Sequence, residues 1–305
     1  MRHLLSVDDL SRRRIESLFQ TADALTAMPI ARRSALLHGR VVVTMFVEPS
    51  TRTRLSFESA ALRLGAGVTG FSEAMSTSMK KGESLEDTAR VCEGYGDALV
   101  LRHPDVGSAA RAASVVSCPV INAGDGANEH PTQTLVDMYA MSRAFGRIDG
   151  LRVGFCGDLR YGRTVHSLLA AMQKFEGMSA HLLPAIGLEL PDTRASRARA
   201  AGVTLHEAKS LAELAQTVDV LYMTRIQTER MDGAEGPQPI CLTTEHLRGV
   251  SPAMRVMHPL PRREEIHPGV DATPHAMYFE QAHAGVPVRQ AVLLDVLGVS
   301  LSESA

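Results

Sequence analysis

The stretch RVVVTMFVEPSTRTR, residues 40–54, decides the fold. Its first half, RVVVTMFV at 40–47, is a short apolar run rich in β-branched residues, the signature of a parallel strand buried on both faces. The second half, PSTRTR at 49–54, packs two hydroxyl–arginine pairs into a place where a turn ordinarily takes Gly, Asn or Asp. The residues that follow, LSFESAALRLG at 55–65, predict a helix with Phe57, Ala60 or Ala61, and Leu64 on one face and Gly65 at its C-terminal cap. A strand running straight into a helix is the repeating unit of a parallel α/β sheet.

The same unit recurs on both sides. Ser84 and Asp87 stand at capping-box spacing at the head of a helix. DALVLR then predicts a strand ending at Arg102, VGSAARAASVV a helix and CPVINAG a strand. EHPTQTLVDMYAMSRAFG predicts a longer helix, with Pro131 in its first turn, Gly146 at its end, and Leu135, Met138, Tyr139, Ser142 and Phe145 on one face. A second series opens at LRVGFCGD. It continues with helix near 162–175, strand near 179–183, helix near 192–201, strand near 203–206, a short helix at SLAELAQT and a strand at VDVLYMTR. PVRQAVLLDVLGV, a last helix, follows the end of that series. Two successive series imply an α/β protein of two domains, each a parallel sheet, with the boundary near 130–150.

Composition narrows the functions available. At 305 residues the chain is long for one core. Its formal net charge of -2, without Trp and with few aromatics, offers neither the basic footprint nor the stacking surface of a nucleic-acid binder. No apolar run approaches the roughly 20 residues needed to span a bilayer, and the amphipathic N-terminus lacks the features of a signal peptide. Cys92, Cys118, Cys156 and Cys241 are scattered without CxxC or His spacing, which reads as reduced thiols in a cytoplasmic protein and predicts no metal site. The basic residues are mostly arginine. Two of the only four lysines, Lys80 and Lys81, sit side by side.

Parallel sheets bind ligands beyond the carboxyl ends of their strands. Those ends carry Ser50-Thr51-Arg52-Thr53-Arg54, Arg102-His103, Asp125 through Gln133, Asp158 through Arg163, Thr224-Arg225-Ile226-Gln227 and His258 through Arg263. Any one arginine there reads most simply as a cap or a solvated surface charge. The recurrence of Arg and His at end after end predicts a cationic cleft for small anions in a slightly acidic protein. PSTRTR suits a phosphate: a helix N-terminus offers unpaired N–H groups, and Arg52 adds a planar fork. Its plainer reading is a Ser or Thr N-cap flanked by surface arginines. Neither GxxxxGK[ST] nor GxGxxG occurs at these loops, so a nucleotide or dinucleotide site is disfavoured. STSMKKGES is a solvated basic loop or an anion clamp. His130, between the amides of Asn128 and Gln133, is a structural histidine or part of a positioned polar cluster. HPLPRREEI is a rigid connector or a segment whose backbone carbonyls face a ligand N–H group.

FVEPSTRTRLSFE, LRHPDVGSA, DGANEHPTQTLVDMY, GDLRYGRTVHSL, MTRIQTER and MHPLPRREEI, in that order over nearly the whole chain, resemble the catalytic chains of the aspartate carbamoyltransferases. STRTR marks carbamoyltransferases at large. HPLPR and MTRIQ are the aspartate-specific parts; ornithine enzymes typically carry Cys-Leu-Pro in place of the Pro-Leu-Pro of HPLPR. The resemblance implies two three-layer α/β domains joined by long interdomain helices. Residues 1–134 would bind carbamoyl phosphate, 135–285 would bind aspartate, and 286–305 would form a helix packing back on the first domain. Ser50, Thr51, Arg52 and Thr53 would hold the phosphate, and Arg102 would contact phosphate and carbonyl. His130 and Thr53 would polarise that carbonyl. Gln133 and the backbone at Leu260 and Pro261 would receive the carbamoyl NH2. Arg163, Arg225 and Gln227 would bind the aspartate carboxylates. Lys81 would reach in from a neighbouring subunit of a homotrimer, accompanied by Ser76, Thr77 or Ser78.

The resemblance further implies catalysis without metal or organic cofactor, in an early step of pyrimidine biosynthesis, and leaves association with regulatory or other pathway chains open. An ornithine-type acceptor and a catalytically inactive scaffold are the alternatives. Arg163 and Arg225 favour a dicarboxylate over a cationic acceptor, and the intact motifs disfavour the scaffold. Arg54 is expected in a structural salt bridge.

Overall fold

The computed structural model describes residues 2–72, 78–231 and 236–301. It divides into two compact units, residues 1–136 with 284–305, and residues 137–283. Both are parallel sheets flanked by helices.

In the first unit the chain forms α1 (Arg12–Ala27), α2 (Ile30–Arg33), β1 (Val41–Phe46), α3 (Thr51–Arg63) and β2 (Gly67–Ser72). It continues through α4 (Leu85–Glu93), β3 (Ala98–His103), α5 (Ser108–Ala113) and β4 (Val120–Asp125) to α6 (Pro131–Phe145), within which the division at 136/137 falls. The strand order is β2-β1-β3-β4, every pair parallel. β1 and β3 are therefore central, which is why VVVTMF and ALVLRH are almost wholly buried. Leu4 lies parallel to the free edge of β4, its N–H donating to Val120 O at 3.0 Å while its carbonyl accepts from Asn122 at 2.8 Å. That covers an edge which would otherwise present unpaired backbone groups.

The expected face of α3 is the buried one: Phe57, Ala60, Ala61 and Leu64 are all 0% exposed. The helix stops at Gly65, whose φ of +86° a side chain would resist; a Cβ there would also meet Ser34 O at 1.9 Å. α11 (Gly285–Leu297) returns to this unit and packs against α1 and α3. It is apolar nearly all round because it is buried nearly all round. Its buried Arg289 lies 5.2 Å from the Phe57 ring centroid, and its Asp295 accepts from Arg14 of α1 at 2.6 Å. Arg54 Nε donates to Glu58 Oε1 one turn on at 2.7 Å, the structural pair expected of it.

The second unit holds β5 (Arg152–Gly157), α7 (Arg163–Met172), β6 (Ser179–Pro184), α8 (Asp192–Ala200) and β7 (Thr204–Glu207). α9 (Leu211–Thr217), β8 (Val220–Met223), β9 (Arg255–Met257) and α10 (Tyr278–His283) follow. The order β7-β6-β5-β8-β9 is again all parallel. β9, three residues long, was not expected from sequence because no apolar run announces it; pairing with β8 and burial of Val256 and Met257 define it. Among the described residues no helix is long and apolar enough to cross a membrane.

In each sheet the chain reverses direction beside its first strand. It runs from β1 outward to β2 and then crosses to β3; it runs from β5 out to β7 and then crosses to β8. The carboxyl ends of β1 with β3, and of β5 with β8, are the topological switch points where such sheets open a crevice.

Candidate functional site

At the first switch point the hydroxyls and arginines of PSTRTR occupy the first turn of α3. Ser50 is the N-cap residue, yet its hydroxyl makes no capping bond. An ordinary Ser N-cap therefore does not account for this stretch. Thr51 and Arg52 are exposed and Thr53 is 5% exposed. A helix of 13 residues presents its dipole's positive end and its first N–H groups here.

Arg102 closes β3 alongside. It is 8% exposed, donates to Glu48 Oε1 at 2.5 Å and to Ala123 O at 3.3 Å, and is bonded through its own carbonyl to Val47 N at 2.9 Å. Glu48, which the sequence reading passed over, thus sets the direction of the guanidinium.

His130 arrives on the loop after β4. Its Nε2 lies 3.4 Å from Thr53 Oγ1 and its Nδ1 lies 3.4 Å from Thr132 Oγ1. A hydroxyl on each ring nitrogen lets Nδ1 accept from Thr132 while Nε2 carries the proton on the Thr53 side. The loop that delivers His130 is pinned by two acids. The Asp125 carboxylate accepts from Gly107 N, Asn122 Nδ2, Asn128 Nδ2 and Glu129 N at 2.9–3.1 Å. Glu129 accepts from Val7 N at 2.7 Å and from Ser6 Oγ at 3.0 Å, and burial holds its carboxyl above the usual range despite those bonds. Gln133, half-buried, follows in the first turn of α6. Ser50, Thr51, Arg52, Thr53, Arg102, His130 and Gln133 all belong to the first unit.

Lys81 is exposed at the end of a 3-10 turn, Ser78–Lys81, and none of the bonds above reaches it. Ser76 and Thr77 lie outside the described residues. His103, collected with Arg102 from sequence, has a local role: its Nδ1 accepts from Asp105 N at 3.0 Å, and burial lowers its pKa.

The second switch point is built around Asp158, 0% exposed. Its Oδ1 accepts from Arg160 N and Tyr161 N at 3.1 and 2.8 Å, and its Oδ2 from Gln227 N at 3.1 Å. Its own N–H donates to Thr224 Oγ1 at 2.9 Å. One carboxylate therefore ties the end of β5 to the end of β8. Gly157, at φ +116°, permits that closeness, since a Cβ there would meet Thr224 O at 2.2 Å. The arrangement carries Arg163, 7% exposed in the first turn of α7, and Arg225 and Gln227, both half-buried after β8. Gln227 Nε2 donates to Tyr161 O at 2.9 Å and Arg225 to Ile226 O at 3.3 Å.

Beyond β9, Leu260 has φ +55° and precedes a cis bond to Pro261. A left-handed leucine costs about 1 kcal/mol or more, and something must hold it. Arg262, also collected from sequence, is engaged with Asp271 and Tyr278, its guanidinium 5.1 Å from the Tyr278 ring centroid. Arg163, Arg225, Gln227, Leu260 and Pro261 all belong to the second unit.

His166, one turn along α7 from Arg163, was not singled out from sequence. Burial, with Arg194 and Arg230 nearby, lowers its pKa to about 4 against the upward pull of its 2.9 Å bond to Leu159 O. The folded state thus refuses a proton that the unfolded chain accepts near 6.5. Stability contributed by the neutral ring is complete above about pH 6.5 and falls as pH drops toward 4, by ~2–3 kcal/mol over the window. His166→Gln, which retains a donor for Leu159 O, is expected to flatten this acid limb by one proton. Chemical denaturation across pH 4–7 measures it; an unchanged slope would refute the assignment.

Burial pushes the Cys156 thiol up to about 12 and the Cys118 thiol to about 11, which removes them as nucleophiles near neutrality. Among the described residues no group of three or more His, Cys, Asp or Glu side chains is arranged to hold a metal ion.

Residues 2–143 match the family model for the carbamoyl-P binding domain of aspartate/ornithine carbamoyltransferase, and residues 149–296 match that for its Asp/Orn binding domain. A curated relative, the aspartate carbamoyltransferase catalytic subunit of Thermococcus onnurineus, is 48% identical, covering 98% of this chain and 97% of its own. The catalytic subunit of M. jannaschii aspartate transcarbamoylase superposes with TM-score 0.89 at 42% identity, covering 98% of both chains. Aspartate transcarbamoylase from Trypanosoma cruzi, solved in complex with carbamoyl phosphate and aspartate, superposes with TM-score 0.89 at 36% identity, covering 96% of this chain and 95% of that one.

Proposed function

The chain belongs to the aspartate/ornithine carbamoyltransferase family, and on that ground we infer that it transfers the carbamoyl group of carbamoyl phosphate to the amine of L-aspartate, giving N-carbamoyl-L-aspartate and phosphate. The observation that carries this reading is the cationic pair at each switch point, Arg52 with Arg102 in one unit and Arg163 with Arg225 in the other. One substrate is a phosphate dianion and the other a dicarboxylate. At about 4 Å and an effective dielectric near 20, each unit-charge repulsion between them costs roughly 4 kcal/mol, which only a cationic site offsets.

Ser50, Thr51, Arg52 and Thr53, with the N-terminus of α3, hold the phosphate. Arg102 reaches phosphate and carbonyl. The neutral aspartate amine attacks the carbamoyl carbon; the C–N bond forms, a tetrahedral oxyanion develops, and the C–O bond to phosphate breaks. The ammonium proton leaves with the phosphate. Arg102, His130 Nε2–H and the Thr53 hydroxyl donate to the oxyanion. His130 acts as donor, because a ring nitrogen that donates to the carbonyl cannot also accept the amine's proton. Gln133 and the carbonyls of Leu260 and Pro261 take the carbamoyl NH2. Arg163, Arg225 and Gln227 take the carboxylates.

We further place the reaction in the cytoplasm, early in pyrimidine biosynthesis, and the chain in a homotrimer whose neighbouring subunit supplies Lys81. The exposed position of Lys81 supports that last assignment.

The test is phosphate release from carbamoyl phosphate with aspartate or ornithine as acceptor. Release with aspartate alone is the expected result. Release with ornithine alone would move the activity to a cationic acceptor, and no release with either would leave an inactive relative.

A further inference from the structure

The segment HPLPRREE, 258–265, contains a buried dyad that none of the roles above uses. Leu260 is held at φ +55° by His258, whose Nδ1 accepts from Leu260 N–H at 2.8 Å. A nitrogen that accepts carries no proton, so the imidazole is the neutral tautomer protonated at Nε2. That Nε2–H donates to Glu265 Oε1 at 2.7 Å, with the His258 and Glu265 side chains 1% and 3% exposed. Glu265 is itself fixed, both oxygens accepting from Arg263 N–H at 3.1 and 3.2 Å. Burial pushes its carboxyl up, but the His258 and Arg263 hydrogen bonds outweigh it and leave it below the usual carboxylate range.

The backbone of His258 is anchored from the other side. Its N–H donates to Gln281 Oε1 at 2.9 Å, Gln281 Nε2 donates to Asp137 Oδ1 at 2.6 Å, and Asp137 Oδ2 accepts from Tyr222 OH at 2.8 Å. A line of buried bonds thus runs through β8, α6 and α10 and ends on the backbone N–H of His258, whose ring holds the residue in the left-handed region. Two apolar side chains would fill the same volume without burying a carboxylate, so packing alone does not call for this pair.

We propose that His258 and Glu265 are a positioning dyad that orients the Leu260–Pro261 carbonyls and thereby selects a carbamoyl NH2 over a bare phosphate oxygen. The proposal rests on the assignment of those carbonyls to the carbamoyl group. A carbonyl accepts from an amide N–H but repels an anionic oxygen, so its direction bears on carbamoyl phosphate and hardly on inorganic phosphate.

Two substitutions separate the nitrogens. His258→Asn places Oδ1 near the lost Nδ1, where it can accept from Leu260 N–H. His258→Gln reaches Glu265 but offers no acceptor to Leu260. His258→Gln is expected to lower kcat and carbamoyl phosphate affinity about tenfold or more, the scale of one lost positioning bond, with inorganic phosphate inhibition within about threefold of wild type. His258→Asn should recover most of that loss. Glu265→Leu, which releases the imidazole tautomer, is the second arm and should resemble His258→Gln. Equal effects of Asn and Gln, parallel losses of carbamoyl phosphate and phosphate affinity, or wild-type behaviour of Glu265→Leu would each overturn the dyad. Absence of transfer by the wild-type protein would instead overturn the activity on which it rests.

Discussion

Replacing His130 by alanine is expected to lower kcat by about 10²–10³-fold while leaving carbamoyl phosphate affinity within about threefold of wild type. The asymmetry follows from when the histidine's bond matters. His130 is 4% exposed on a loop fixed by Asp125 and Glu129, and its Nε2 stands 3.4 Å from the Thr53 hydroxyl. On the proposed assignment both groups are placed before the substrate arrives, so nothing need reorganise as the carbonyl oxygen gathers charge. A ground-state carbonyl is a weak acceptor and the developing oxyanion a strong one, so the loss falls on turnover. His130→Gln, which can present an amide N–H, should recover part of it. Steady-state kinetics with a separate binding measurement for carbamoyl phosphate decides the matter. Unchanged kcat, or affinity falling as far as turnover, would remove His130 from oxyanion stabilisation.

Arg52→Ala is the second large effect, with a different signature. Two charge-assisted bonds to phosphate, each ~1.5–3 kcal/mol, amount to about 10²–10⁴-fold in kcat/KM. Arg52 is exposed in the first turn of α3, beside a Ser50 hydroxyl that does not cap the helix. On the proposed assignment it binds phosphate in substrate, transition state and product alike. Most of the loss should therefore appear as weaker binding, and the inhibition constant for inorganic phosphate should rise in step. Lysine restores the charge without the planar fork, so Arg52→Lys should recover only part. If Arg52→Ala lowered kcat while phosphate inhibition stayed unchanged, the phosphate would have to be held elsewhere.

The sequence was legible where side-chain chemistry meets a strong local pattern. Apolar runs ending in Arg102 or entering PSTRTR identified strand ends, and their βα order implied parallel sheets; the structure bears out both. What stayed hidden is the support of those ends. Glu48, Asp125, Asp158 and Glu265 look like any surface acid in sequence, yet each is set against a partner by the fold. Asp158 is joined to residues 66 and 69 positions away, and Glu48 to one 54 away. No local periodicity encodes such pairs. Short β9 was missed for a related reason: its strand character comes from pairing with β8 more than from its own three residues. Ser50 is the converse case: its residue type also suggests a cap, the alternative to a phosphate site, and its hydroxyl makes no capping bond.

The claim at the centre of this account is group transfer between two anionic substrates, one for each switch point. Carbamoyl phosphate isotopically labelled at its carbonyl carbon, incubated with the protein and L-aspartate and followed by carbon NMR, tests it directly. The account predicts that the label moves to the ureido carbon of N-carbamoyl-L-aspartate, one equivalent for each phosphate released. Label that stays in carbamoyl phosphate, or is released as bicarbonate with no ureido signal, would contradict it.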